Sequence, residues 1–278
     1  MSRWIFLRGL TRERRHWGRF PETFRREIPD SEIHAPDLPG NGTRHREESP
    51  LRVGEMAESV RAGLRADGVA PPYRLLAMSL GAMVATAWAL RHPAEISGCV
   101  LINTSLRPFS PFYRRLRPQN YPRLLRLALF GGSDEAWEET ILALTSRRDP
   151  ASAEVLREWI ALRHEHPVST RNALRQLRAA ACYRAPLTPP EPPLLVLGSR
   201  QDALVDAACS RRLASCWRTA FAEHPWAGHD LPLDDGAWVA RQVKRWLQDE
   251  SGDGEETTAS CALAGGSPPS AALDQPVE

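Results

Sequence analysis

The chain has 278 residues, 42% of them hydrophobic and 25% charged, which suits one sizeable globular domain with a full core. No apolar run approaches the ~20 residues that span a bilayer, and the short apolar segment in MSRWIFLRGLTRERRHW lacks a cleavage site, so a cytoplasmic location is expected. The formal charge of +2 hides an asymmetry: seven acidic and no basic residues follow from Asp249, leaving 36 basic residues against 27 acidic over 1–248.

Lys244 is the single lysine, so the arginine excess reads as genomic bias and gives no sign of nucleic-acid binding. The five cysteines (Cys99, Cys182, Cys209, Cys216, Cys261) form no C-x-x-C pair and are expected as free thiols. Neither a metal nor a cofactor is called for.

In chain order, Trp4 to Leu7 is a short strand, followed by the loop Arg8-Gly9-Leu10-Thr11. Ile33 to Ala35 is a second strand, closed by Asp37-Leu38-Pro39-Gly40-Asn41-Gly42. Its Gly-x-Gly lacks the Lys and the direct strand-to-helix join of a phosphate loop, so a turn is expected. A helical pattern over 54–66 leads into Tyr73–Pro93, YRLLAMSLGAMVATAWALRHP. That stretch is a buried strand running straight into a buried helix, with Ser79 at the joint and Pro93 as the stop. Small residues flank the Ser at two before and two after (Ala77, Gly81), as the tight turn of a nucleophile elbow requires. Gly98 to Ile102 is another buried strand. Strands alternating with helices argue for a parallel sheet covered on both faces.

From Arg107 to Arg184 the pattern is helical only, with candidates at 121–130, 134–146, 151–165 and 170–183. This segment holds 14 arginines against eight acidic residues. Solvated outer faces and a basic lid for an anionic acyl substrate or carrier both account for that. The histidines of His164-Glu165-His166 fall on different sides of a helix and do not read as a metal site. After the Pro-rich 186–193, Leu194 to Leu197 is a strand leading to Asp202, 207–215 a helix and 218–222 a strand. His229 follows, and Asp234 is expected to cap a final helix over 235–248. Residues 249–278 are polar, acidic and expected to be disordered.

Ser79, Asp202 and His229 thus fall in that order at the carboxyl edge of a parallel sheet, where such sheets place their sites. His224 and Asp206 are rivals as base and acid. His224 comes early in its loop, Asp206 sits near a helix start, and Asp230 is expected to point elsewhere. The elbow, the strand-G-x-x-x-D segment ending at Asp202, the Gly-His at 228–229 and the D-L-P-G-x-G loop at 37–42 together resemble the α/β-hydrolase fold over about residues 3–248. The resemblance implies a core of 1–106 and 185–248 with a helical cap at 107–184. It also implies a catalytic triad of Ser79, Asp202 and His229, with the backbone N–H groups of Leu10 and Leu80 as oxyanion hole.

The chain departs from that pattern in places. Arg8 stands where many members carry His before the oxyanion Gly. Ala77 and Ala82 replace elbow glycines, and the one or two leading strands of many members are absent. Ser at the nucleophile position speaks against the dehalogenase and epoxide-hydrolase chemistry that uses Asp there. The function implied is hydrolysis of a carboxylic ester or thioester, with a layout similar to the methyl esterases of carrier-bound pimeloyl esters. An acyltransferase using the same triad, or a non-catalytic ligand-binding protein on this fold, are the alternatives.

Overall fold

The computed structural model describes residues 1–130, 132–147, 153–250 and 252, with the backbone alone at 128–130. Six strands form one parallel sheet in the order β2-β1-β3-β4-β5-β6. They are β1 (Ser2–Leu7), β2 (Ser31–His34), β3 (Tyr73–Met78), β4 (Ile96–Ile102), β5 (Leu194–Ser199) and β6 (Ala220–His224). Each β-α-β connection needs a crossover. The sequence supplies α1 (Phe20–Glu27), α2 (Val53–Ala66) and α3 (Leu80–Arg91) in the first half.

Between β4 and β5 come α4 (Phe112–Arg115), α5 (Tyr121–Phe130), α6 (Asp134–Thr145), α7 (Ala153–Glu165) and α8 (Thr170–Cys182). Then α9 (Ala208–Trp217) joins β5 to β6, and α10 (Leu231–Glu250) ends the described chain. The α6 and α8 helices start where a serine side chain accepts a main-chain N–H: Ser133 from Ala136, and Ser169 from Asn172.

The inner strands β1, β3, β4 and β5 are apolar on both faces, with successive residues serving opposite layers. Ile5 and Leu7, Leu75 and Ala77, and Cys99 and Leu101 pack with α2 and α3. Trp4 and Phe6, Leu76 and Met78, and Val100 and Ile102 pack with α1 and α10. Ten of the twelve α3 residues are buried. A helix apolar all round has no solvent face and must lie inside. At the amino edge of the sheet, Arg61 and Arg65 of α2 clamp Glu95 just before β4, with Nη2–Oε1 distances of 2.6 and 2.7 Å.

The sheet reverses its order of growth after β2. The crevice at this switch point opens between the carboxyl ends of β1 and β3, which is where ligands settle in open parallel sheets. Arg8–Thr11 leaves β1 there and Ser79 leaves β3.

Several sequence expectations shift. The second strand starts at Ser31, earlier than expected, because its main chain pairs in register with Ser2–Ile5 of β1. The last strand is Ala220–His224, displaced toward the C-terminus and paired with 195–199 of β5. Asp234 does not cap the final helix. That helix begins at Leu231 and is interrupted at Asp235 (φ −149°, ψ 73°), whose Oδ1 accepts the Trp238 N–H at 2.9 Å. Asp234 is buried and takes the Gly228 and Arg147 N–H groups at 2.6 and 3.0 Å. Cys99, Cys182, Cys209 and Cys216 are free thiols. Cys261, the 253–278 tail and residues 151–152 of the expected cap helix lie outside the described residues. Among the described residues no helix is long and apolar enough to cross a membrane.

Candidate active site

Ser79 is the single residue between β3 and α3, and the turn forces it to φ 56°, ψ −117°. Such a conformation costs a non-glycine residue on the order of 1–3 kcal/mol. It is held from both sides: the Ser79 N–H donates to the Ile102 carbonyl at 2.9 Å, and the Thr104 hydroxyl donates to the Ser79 carbonyl at 3.1 Å. Gly81 permits the sharp entry into α3. A Cβ there would stand 2.3 Å from the Leu7 carbonyl oxygen and 2.6 Å from that of Arg8. Ala77 and Ala82 are accommodated without exposure. Gly9 lies directly against Ser79, since a Cβ there would be 3.1 Å from the Ser79 Cβ.

His229 and Asp202 come from loops after β6 and β5. The His229 Nδ1 lies 2.7 Å from the Asp202 Oδ2, and both residues are buried. A carboxylate only accepts, so Nδ1 carries the proton of this hydrogen bond. The other Asp202 oxygen accepts the N–H groups of Leu204 and Val205, each at 2.8 Å. The carboxylate is therefore fixed at both oxygens.

Ser79 and His229 line one cavity of about 240 Å3, together with Leu10, Leu80, Arg8 and Asp230. Leu80 is the first residue of α3, so its N–H has no acceptor within the helix. The Leu10 N–H likewise meets no hydrogen-bond acceptor among the described residues. Both point of origin and freedom suit an oxyanion hole. The far wall is apolar, built from Leu124 of α5, Ile141 and Leu144 of α6, and Leu174 and Leu177 of α8.

The rival base and acid are occupied elsewhere. The His224 Nδ1 accepts the Ala227 N–H at 3.0 Å, and its Nε2 faces Asp235 at 3.3 Å. Asp206 accepts the Ala208 N–H at 2.9 Å at the start of α9. His166 meets Glu13 at 2.8 Å. Asp37 accepts the Arg14 and Thr43 N–H groups, so the 37–42 segment is a turn.

Asp230 does not pair with His229. It forms a bidentate pair with Arg8, at 3.1 and 2.6 Å, with both side chains almost fully buried in the cavity wall. Arg8 also lies over the Trp17 ring at 4.7 Å. The pair joins the loop bearing Leu10 to the loop bearing His229. Nothing in the sequence pattern alone assigns Asn103 to the site. Its Nδ2 donates to the His229 carbonyl at 2.8 Å and the Gly228 carbonyl at 3.2 Å. Its one mark in the sequence is that it is a polar residue directly after the buried β4 run.

The family model described as the alpha/beta hydrolase fold matches residues 5–235. The "Putative carbamate hydrolase RutD" of Klebsiella pneumoniae is 30% identical over 70% of this chain and 74% of its own length. The pimeloyl-[acyl-carrier protein] methyl ester esterase of Chromobacterium violaceum is 29% identical over 52% of this chain and 48% of its own length. Among solved structures, the enol-lactonase of Burkholderia xenovorans superposes with a TM-score of 0.73 at 16% identity, covering 89% of this chain and 91% of that one. A thermophilic esterase from Thermogutta terrifontis gives 0.65 at 20% identity, covering 90% of each. The chain belongs to the α/β-hydrolase family, and it is a hydrolase.

Proposed function

We propose that this protein hydrolyses carboxylic esters or thioesters through an acyl-enzyme on Ser79. The observation that carries the reading is the buried His229–Asp202 hydrogen bond of 2.7 Å on the same cavity as a serine held in a strained turn. Serine is a poor nucleophile unless a base takes its proton. In this reading His229 Nε2 takes the Ser79 Oγ proton as Oγ bonds to the carbonyl carbon. The oxyanion is met by the Leu10 and Leu80 N–H groups. Collapse expels the alcohol or thiol, which receives that proton from His229. Water, activated by the same nitrogen, then releases the acid and restores Ser79. Asp202 keeps the ring in the required tautomer and stabilises its protonated form.

The acyl group itself is largely aliphatic, since its wall is mostly leucine, isoleucine, methionine and valine. Of the cavity cations, Arg8 and Arg12 are paired with Asp230 and Glu138, while Arg115 donates only to the Ala180 and Ala181 carbonyls. A volume of about 240 Å3 matches roughly eight water-sized groups. Residues 107–184 act as a cap over it. Arg115 apart, the arginine excess of the cap then serves whatever lies outside the pocket, and an acyl carrier protein fits that charge. A pimeloyl-carrier methyl ester esterase among the relatives supports the same idea.

Intact-mass analysis after fluorophosphonate treatment tests the nucleophile. One adduct is expected on the wild type and none on Ser79→Ala, with ester turnover falling by at least ~10^4-fold. An unlabelled wild type, or a labelled Ser79→Ala variant, would refute the assignment.

A further inference from the structure

The oxyanion turn is the second strained segment at the cavity. Thr11, one residue past Leu10, has φ +57°. A β-branched residue rarely adopts that conformation, and it persists only where surrounding contacts enforce it. The contacts that do so come from a different part of the chain. Gln176, in the middle of α8 and fully buried, accepts the Thr11 N–H on Oε1 at 2.9 Å. Its Nε2 donates to the Asn41 Oδ1 at 2.7 Å and to the Ser49 Oγ at 3.0 Å. Asn41 Nδ2 in turn donates to the Arg12 carbonyl at 3.0 Å.

Chemistry fixes the orientation of both amides. The Thr11 N–H can only donate, so it must face the Gln176 oxygen; the Arg12 carbonyl can only accept, so it must face the Asn41 nitrogen. The remaining Gln176–Asn41 contact then pairs donor with acceptor, and every polar atom of the Gln176 amide is used. The Gly9–Arg12 turn is thus gripped at the N–H of Thr11 and the carbonyl of Arg12. One face of α8 carries this grip. The adjoining face, with Ala173, Leu174 and Leu177, lines the cavity.

We propose that Gln176 is a positioning residue for the oxyanion hole: α8 holds the Gly9–Thr11 turn so that the Leu10 N–H faces the reacting carbonyl. The insertion between β4 and β5 is then part of the catalytic apparatus as well as a wall for the acyl group. The inference rests on the hydrolase reading above and adds a residue to it.

Without the Gln176 acceptor, the Thr11 N–H loses its partner and the turn is held only at the Arg12 main chain, so the neighbouring Gly9–Leu10 peptide gains freedom to turn its N–H away. Removing one oxyanion donor in a comparable site costs ~10^2–10^3-fold in kcat. Partial misalignment is expected to cost ~10–100-fold. Gln176→Leu removes the acceptor, and Gln176→Asn keeps an amide but draws it out of reach, which guards against a variant that does not fold. Glu95→Gln, at the opposite edge of the sheet, serves as a control that lowers stability without touching the turn.

Both Gln176 variants should lose kcat ~10–100-fold with KM within about threefold, measured well below their melting temperatures. Glu95→Gln should keep wild-type kcat. Wild-type kcat in Gln176→Asn, or a loss no greater than in the equally destabilised Glu95→Gln, would overturn the proposal. A wild-type protein inert toward every ester would instead overturn the hydrolase reading, so the two failures are distinct.

Discussion

Arg8 stands where many relatives of this fold are expected to carry histidine, and its replacement by methionine is the sharpest probe of how the site is assembled. The Arg8→Met change keeps side-chain length and removes the cation. It leaves the Asp230 carboxylate, only 3% exposed, with neither of its 3.1 and 2.6 Å hydrogen bonds. Two charge-assisted hydrogen bonds contribute ~1.5–3 kcal/mol each, and stranding one member of a buried pair costs about 3–5 kcal/mol. At ~2–4 °C per kcal/mol, the melting temperature should fall by roughly 6–20 °C. Asp230→Leu should cost a similar amount.

The double variant Arg8→Met/Asp230→Leu buries no charge and should regain at least half of that stability. Activity should behave differently. If the pair serves to align the Leu10 and His229 loops, the double variant will regain its fold without regaining kcat. Thermal melts and ester kinetics on the four proteins of the cycle decide the matter. A coupling energy below ~0.5 kcal/mol, or a single variant that melts with the wild type, would refute the argument.

Two further outcomes follow from the charge distribution. Glu95, hydrogen-bonded by Arg61 and with its pKa lowered to about 2, favours the folded state while ionised. Its contribution is present above the ordinary carboxylate pKa of 4.5 and is lost as pH falls from there toward about 2. Urea melts should show Glu95→Gln weaker by ~1–3 kcal/mol at pH 7, with the gap narrowed to about half by pH 3 and closing only toward pH 2 and below; a gap independent of pH would contradict this. A methyl ester presented on an acidic carrier protein should be hydrolysed at least ~10-fold faster in kcat/KM than its free counterpart. That advantage should shrink with salt and on Arg123→Ala/Arg126→Ala at the exposed face of α5. Equal rates, indifferent to both changes, would remove the carrier from the proposal.

Local order was legible because each element carries its own signal. Doubly apolar inner strands and an apolar α3 announce a buried parallel sheet, and α5, α6 and α8 of the β4–β5 insertion fall within one residue of their periodic patterns. The strand-Ser-helix joint marked Ser79, and loops at successive strand ends marked Asp202 and His229. Boundaries were less legible where sheet pairing decides them. The main chain of β2 and β6 extends or shifts to satisfy hydrogen bonds with β1 and β5, and no side-chain pattern reports that. Asp234 looked like a helix cap for the same reason: a capping sequence was present, but a buried main-chain donor at Gly228 claimed the carboxylate.

The sequence by itself determined the fold class and the order of the site residues, because strand and helix periodicity and tight-turn sterics act over a few neighbouring positions. What only the tertiary structure decided is how the Gly9–Arg12 turn beside Ser79 is held. Arg8 finds Asp230 across 222 positions and Thr11 finds Gln176 across 165. Arginine, aspartate and glutamine are ordinarily solvated, and nothing local distinguishes these from the rest. Their roles arise because the parallel sheet and the helices inserted after β4 bury them together, where an unpaired charge or amide would be costly and each partner therefore becomes obligatory.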